Sequence, residues 1–193
     1  MDGIRAVIYD LDGTLYDKSR LAFRLVVRES FRLRLGMLGR ERKARKALAG
    51  REFPDETAFY EAFYALLSPN RAKAERWYRH YLADMAAILR RHYRLRDWVL
   101  PELAEWERKG IPVAILSDYG AVREKLTALD FPVDKVAILL DAPAGGGLKP
   151  CPRAFLLIAK KLGVAPEQCL VIGDRADTDG AGAAAAGMHF RLV

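Results

Sequence analysis

Apolar positions along this chain fall into two periodicities. Short, nearly unbroken apolar runs occur at residues 4–9, 111–116, 136–140, 169–172 and around 188–193. The first four end in acidic, hydroxyl or glycine residues: Asp10–Leu11–Asp12–Gly13–Thr14, Ser117–Asp118, Asp141 with a glycine-rich loop, and Gly173–Asp174. Runs of this length, rich in Val and Ile, predict strands buried on both faces, as in a parallel sheet. The stretches 97–109, 120–129, 152–162 and 180–187 read as helices. Leu100, Leu103 and Ala104 share one face of the first, which Gly110 terminates. Pro152 suits the first turn of the third, and Gly163 stops it. Strand alternating with helix predicts an α/β fold, a Rossmann-like doubly wound parallel sheet.

The stretch 18–97 breaks the alternation. Phe23, Val26, Val27 and Phe31 keep helical spacing; so do Phe59, Phe63, Leu66 and Leu67 after Pro54–Asp55, and Trp77, Tyr81, Met85, Ile88 and Leu89. Gly50 and Ser68–Pro69–Asn70 separate the pieces. Three or four helices are expected, inserted as a bundle, with the aromatic stripes as its core. The expected division is a core of residues 1–17 and 98–193 and a helical insert of residues 18–97.

Composition sharpens this division. The 193 residues are 51% hydrophobic and 30% charged, which describes a folded chain long enough to bury a core. No apolar run is long enough to suggest a transmembrane helix, and an acidic N-terminus without a signal-like segment suggests a cytoplasmic protein. Cys151 and Cys169 make neither a disulfide framework nor a zinc site. His80, His92 and His189 show no ligand spacing. The net charge of +7 is uneven: residues 18–97 carry +11 and the rest −4. A basic insert in an acidic frame fits an anionic substrate or nucleic acid. Residues 32–51 hold eight Lys/Arg against Glu41 alone, yet no nucleic-acid motif accompanies them, so nucleic acid is not the expected partner.

The polar strand ends carry the candidate chemistry, because open α/β sheets bind ligands at that edge. Asp10, Asp12, Ser117, Lys149 and Asp174 converge there, with Asp177 and Asp179 following. Clustered carboxylates call for a cation between them, and a hard dication with oxygen ligands, most simply Mg²⁺, fits Asp10 and Asp174. Ser117 and Lys149 combine a hydroxyl donor with a point positive charge, a grip for phosphate. A carboxylate beside an electrophilic phosphorus can attack it and form an acyl phosphate. Asp12, two residues on, can protonate a leaving oxygen and then activate water. Asp118 either adjoins the substrate or caps the next helix. Asp177 reads as exposed or supporting.

These residues form an ordered set. Asp10–Leu11–Asp12–Gly13–Thr14–Leu15 resembles the first motif of the haloacid dehalogenase-like (HAD) hydrolases. Ser117 is similar to the second, Gly147–Leu148–Lys149–Pro150 to the third, and Gly173–Asp174–Arg175–Ala176–Asp177–Thr178–Asp179 to the acidic fourth. The insert after the first motif is similar to the helical cap of subfamily I, as in phosphoglycolate phosphatase-like and β-phosphoglucomutase-like proteins. The resemblance implies Asp10 as nucleophile and Asp12 as general acid/base. It implies Mg²⁺ held by the Asp10 carboxylate, the Asp12 carbonyl and Asp174, with support from Asp179. Ser117 and Lys149 would hold the phosphoryl group, with Asp118 beside them.

The dehalogenase branch is expected to lack a carboxylate at position 12, so Asp12 favours phosphoryl transfer. The expected activity is a Mg²⁺-dependent phosphatase acting on small phosphorylated metabolites through an aspartyl-phosphate. A phosphomutase on the same frame is the alternative, and a nucleic-acid-binding module using the basic insert a more distant one. Lys18, Lys43, Lys46 and Lys73 are the insert's lysines, and none is assigned a role. Cys151 stands where family members often carry an acidic residue and reads as a small filler.

Overall fold

A computed structural model of the chain describes residues 3–31 and 34–193; Arg32, the first residue of the basic stretch, lies outside them. Five parallel strands form one sheet: β1 (Ala6–Asp10), β2 (Val113–Ser117), β3 (Ile138–Asp141), β4 (Cys169–Gly173) and β5 (His189–Leu192), in the order β3-β2-β1-β4-β5. β1, β2 and β4 are buried throughout, which is why their sequences are apolar without alternation. The chain moves outward from β1 through β2 to β3, then crosses back to β4 and β5. That reversal opens a crevice at the C-terminal ends of β1 and β4. Register sets what faces it: Asp10 pairs with Leu116, Tyr9 with Ile172, and Ser117 with Asp141.

Four helices lie between β1 and β2 in the inserted segment: α1 (Leu21–Phe31), α2 (Leu35–Leu48), α3 (Glu56–Leu67) and α4 (Arg71–His92). Asp55 and Asn70 cap α3 and α4, accepting the N–H groups of Ala58 at 2.8 Å and Lys73 at 2.9 Å. The core of the insert is Phe59, Phe63 and Leu67 against Trp77, Tyr78, Tyr81 and Met85, with Leu48 of α2. The remaining helices are α5 (Val99–Arg108), α6 (Val122–Ala128), α7 (Arg153–Leu162) and α8 (Ala181–Ala185). No helix of the described residues is long and apolar enough to cross a membrane.

Three expected faces are corrected. The stripe on α1 points outward: Phe23 is 67% exposed and Phe31 87%, with Val26 and Val27 also exposed. The buried face carries Leu21, Leu25 and Glu29 instead, and the Glu29 carboxylate accepts the indole N–H of Trp77 at 2.8 Å. A buried hydrogen-bonded carboxylate thus rotates the helix against its apolar moment. Leu66 of α3 is likewise exposed. On α5 the buried positions are Val99, Leu103 and Trp106, one turn apart, while Leu100 and Ala104 face solvent.

The insert joins the sheet along a defined seam. The N–H of Gly50 donates to the Leu148 carbonyl at 3.2 Å, and that of Phe53 to the Gly146 carbonyl at 2.8 Å. Arg153 of α7 donates to the Phe53 carbonyl at 2.5 Å. At the chain crossings, the Arg96 N–H reaches the Leu15 carbonyl at 2.8 Å, so the segments entering and leaving the insert run side by side.

Candidate active site

Asp10, the last residue of β1, is held on both oxygens. Lys149 Nζ donates to Oδ1 at 2.5 Å and Thr14 Oγ1 to Oδ2 at 2.7 Å. The intervening turn requires a glycine: Gly13 has φ +111°, and a Cβ there would lie 2.3 Å from Asp174 Oδ2. Lys149 is buried and also donates to Asp179 Oδ1 at 2.6 Å. Burial alone would lower its affinity for a proton, but the surrounding Asp10, Asp118 and Asp179 outweigh that and keep it charged. Burial in turn pushes the Asp179 carboxyl up, against the pull of Lys149. A single wide turn over Ala176–Gly180 places Asp179, whose Oδ2 also accepts the Arg175 N–H at 3.2 Å.

Asp12 lies above Asp10 with three donors around its carboxylate. Tyr16 donates to Oδ1 at 2.8 Å; Ser117 Oγ at 2.8 Å and Lys125 Nζ at 2.5 Å both reach Oδ2. Burial would raise this carboxyl, yet the Lys125 ammonium and the three hydrogen bonds bring it below the ordinary carboxylate range. Lys125 is fully buried and bridges Asp12 to Ser117 Oγ at 3.1 Å. Sequence reading missed Lys125 because it sits mid-helix on α6, eight residues past Ser117. Its one available signal was a lysine on the otherwise apolar buried face of the helix, between Val122 and Leu126.

Asp118 does not cap α6, whose N-cap position is Ala121 at φ +60° with no side-chain cap. Its carboxylate accepts the Lys149 N–H at 2.9 Å, fixing the loop that presents the Lys149 side chain. Burial pushes the Asp118 carboxyl up. Its carbonyl accepts from Arg45 of α2 at 2.6 Å. Arg45 belongs to the basic stretch of residues 32–51. It is largely buried, its guanidinium 4.0 Å over the Tyr119 ring, paired with Glu41 and donating to the Tyr78 hydroxyl at 2.9 Å.

Asp174 lies at the open mouth. Lys18 Nζ sits 2.5 Å from its Oδ2 and 2.9 Å from the Asp12 carbonyl oxygen. Carboxylate oxygens of Asp10, Asp174 and Asp179 lie within 4.8 Å of one another, and no histidine joins them among the described residues. The donor set is all oxygen, as a hard dication requires, and the Lys18 headgroup already stands on one of its members, Asp174, and on the neighbouring Asp12 carbonyl. Asp177 is exposed and paired with Arg175 at 2.5 Å, as the exposed reading expected. Cys151 is buried, its thiol pushed up by burial, which fits a filler.

The arrangement presents a carboxylate, a fixed ammonium and a hydroxyl around one point at the sheet edge. The chain is similar to proteins of known kind. A phosphatase of Mycobacterium tuberculosis is 36% identical over 95 residues, 48% of this chain and 43% of its own. The phosphoserine phosphatase of Thermus thermophilus is 34% identical over 110 residues, 56% of this chain and 44% of its own. This chain therefore matches less than half the length of either curated relative. Crystalline CbbY from Rhodobacter sphaeroides, in complex with phosphate, shares the fold with a TM-score of 0.67 at 20% identity, over 97% of this chain and 84% of that one. The haloacid dehalogenase-like hydrolase family matches residues 4–187, from β1 to the end of α8 and the turn beyond it, and the chain belongs to that family.

Proposed function

We propose that this protein is a phosphoric monoester hydrolase acting on small phosphorylated metabolites through an aspartyl-phosphate at Asp10. The observation that carries this reading is the pair of carboxylates at the end of β1, held in unlike environments. Asp10 is gripped by Lys149 and Thr14 with its carboxylate at the sheet edge, and Asp12 is clamped by Lys125, Ser117 and Tyr16. Unlike settings for neighbouring carboxylates are how one site separates nucleophile from acid/base. The relatives' names, both phosphatases, point the same way.

In this reading Asp10 attacks phosphorus, the bond from phosphorus to the leaving oxygen breaks, and Asp12 passes a proton to that oxygen. Ser117 and Lys149 hold the phosphoryl oxygens, and Asp118 keeps the Lys149 loop in place beside the substrate. Asp12, held ionised by Lys125, then takes a proton from the water that opens the acyl phosphate. An aryl phosphate, whose leaving phenolate is stable, is a suitable first substrate. The residues that would hold Mg²⁺ are Asp10, the Asp12 carbonyl and Asp174, with Asp179 behind them against Lys149. When bound, the ion would neutralise the phosphoryl oxygens and raise the electrophilicity of phosphorus.

The insert of residues 18–97 acts as a cap on the core formed by residues 1–17 and 98–193. Its seam to the Gly146–Leu148 loop closes one side of the site. A cytoplasmic location belongs to the same proposal, and the two buried, unpaired cysteines fit a reducing compartment.

The deciding experiment is an aryl phosphate assay with and without Mg²⁺ on wild type and Asp10→Asn. The variant is expected to fold and to lose turnover entirely, and hexose monophosphates are expected to yield inorganic phosphate without an isomerised sugar. Full turnover by Asp10→Asn would sink the assignment.

A further inference from the structure

Lys18 stands on the short crossing between β1 and α1. Its backbone is fixed by neighbours: the Leu21 N–H donates to the Lys18 carbonyl at 3.0 Å, and Tyr93 donates to the Ser19 carbonyl at 2.8 Å. Its side chain is 43% exposed and reaches back into the mouth of the site. There the ammonium touches Asp174 Oδ2 and the Asp12 carbonyl oxygen and no other hydrogen-bonding atom among the described residues. These are two of the oxygens that the hydrolase reading gives to a divalent cation. An ordinary surface ion pair would stand on a carboxylate alone; this one also takes a main-chain carbonyl turned inward by the Gly13 bend.

We propose that Lys18 is a tethered competitor for the cation site: its ammonium occupies the Asp12–Asp174 oxygens when metal is absent and must swing out before metal binds. The inference rests on the metal assignment above. Two cations cannot share that oxygen pair. A dication binds oxygen at about 2.0–2.1 Å, inside the contacts Lys18 makes. The flexible, partly exposed stem lets the headgroup leave by side-chain rotation alone, without moving the crossing segment. In the metal-free protein the ammonium offsets the repulsion among Asp10, Asp174 and Asp179. In the metal-bound protein it stands free at the rim. Lys18 therefore sets the metal concentration at which the enzyme switches on.

The test titrates the full chain with Mn²⁺, followed by electron paramagnetic resonance, in wild type, Lys18→Met and Asp174→Asn. Residue-resolved acylation of Lys18 in wild type, with and without saturating Mn²⁺, is measured by mass spectrometry. Lys18→Met is expected to bind Mn²⁺ about fivefold more tightly or better, the scale of one partly exposed charged contact. Asp174→Asn should lose most binding, and metal should speed Lys18 acylation several-fold. Equal or weaker binding by Lys18→Met overturns the proposal. So does tighter binding with Lys18 acylation unchanged by metal, which would reduce the residue to a distant repelling charge. Failure of every form to bind Mn²⁺ overturns the metal assignment together with the competitor. Loss of aryl phosphate turnover in Asp10→Asn with no effect at Lys18 leaves the hydrolase standing and removes only this inference.

Discussion

Asp141 shows how a single half-buried carboxylate can work against the fold. It ends β3 and is pushed up to about 6, chiefly by burial, with Glu56 and Glu124 adding to the effect against Lys125. A folded-state value above the unfolded one means that the folded protein holds this proton more tightly. Stability contributed by the protonated form is present in full below about pH 4 and is lost as pH rises through about 6. Asp141→Asn is therefore expected to match wild type near pH 4 and below. At pH 7 it should be more stable by about 2 kcal/mol, after discount for partial exposure. Urea midpoints at the two pH values check this, and an equal gain at both would refute it. Asp10, Asp12, Ser117, Lys149 and Asp174 were legible one residue at a time, because each follows a recognisable strand end. Lys125, Arg45 and Lys18 were not, because a lysine or arginine outside a motif has the same local signature whether it is solvated or buried.

Helices in the insert separate apolar content from burial. α1 and α3 both carry apolar residues at helical spacing, yet Phe63 is fully buried and Phe23 mostly exposed. Phe63→Ala should cost about 3–5 kcal/mol, since it opens a cavity beside Phe59 and Tyr78. Phe23→Ser should stay within about 0.5 kcal/mol. Thermal or denaturant unfolding of the pair decides; comparable losses would mean that the α1 stripe is covered after all. Periodicity located α1, α3 and α4 and the strands to within a few residues. It could not choose the buried face of α1, because Glu29 is drawn inward by the Trp77 indole, a partner 48 positions away.

Across the whole molecule, charge divides between insert and core, and some of the insert's arginines pair with its own carboxylates. Arg28 pairs with Asp84, Arg34 with Glu29 and Arg45 with Glu41. The insert still carries +11 over an acidic core. Such a field should draw in substrates with several anionic groups. The kcat/KM for a bisphosphorylated metabolite is expected to fall more steeply with added KCl than that for an aryl monophosphate, because screening weakens long-range attraction between exposed charges. Parallel salt profiles for the two substrates would remove electrostatic steering as a role for the insert.

Sequence by itself determined the order of strands and helices, the parallel sheet and the edge where the acidic motifs gather. Those follow from local periodicity and from turn residues next to each strand, which act over a few positions. Tertiary structure alone decided which cations are partners. Lys125 meets Asp12 across 113 positions, Lys149 meets Asp10 across 139 and Lys18 meets Asp174 across 156. Only the first and last of these were wholly unforeseen; the motif had already placed Lys149 near the site. Charge pairing depends on distance in space, and the pairing of β1 with β2 and β4 creates those distances only once the sheet has formed.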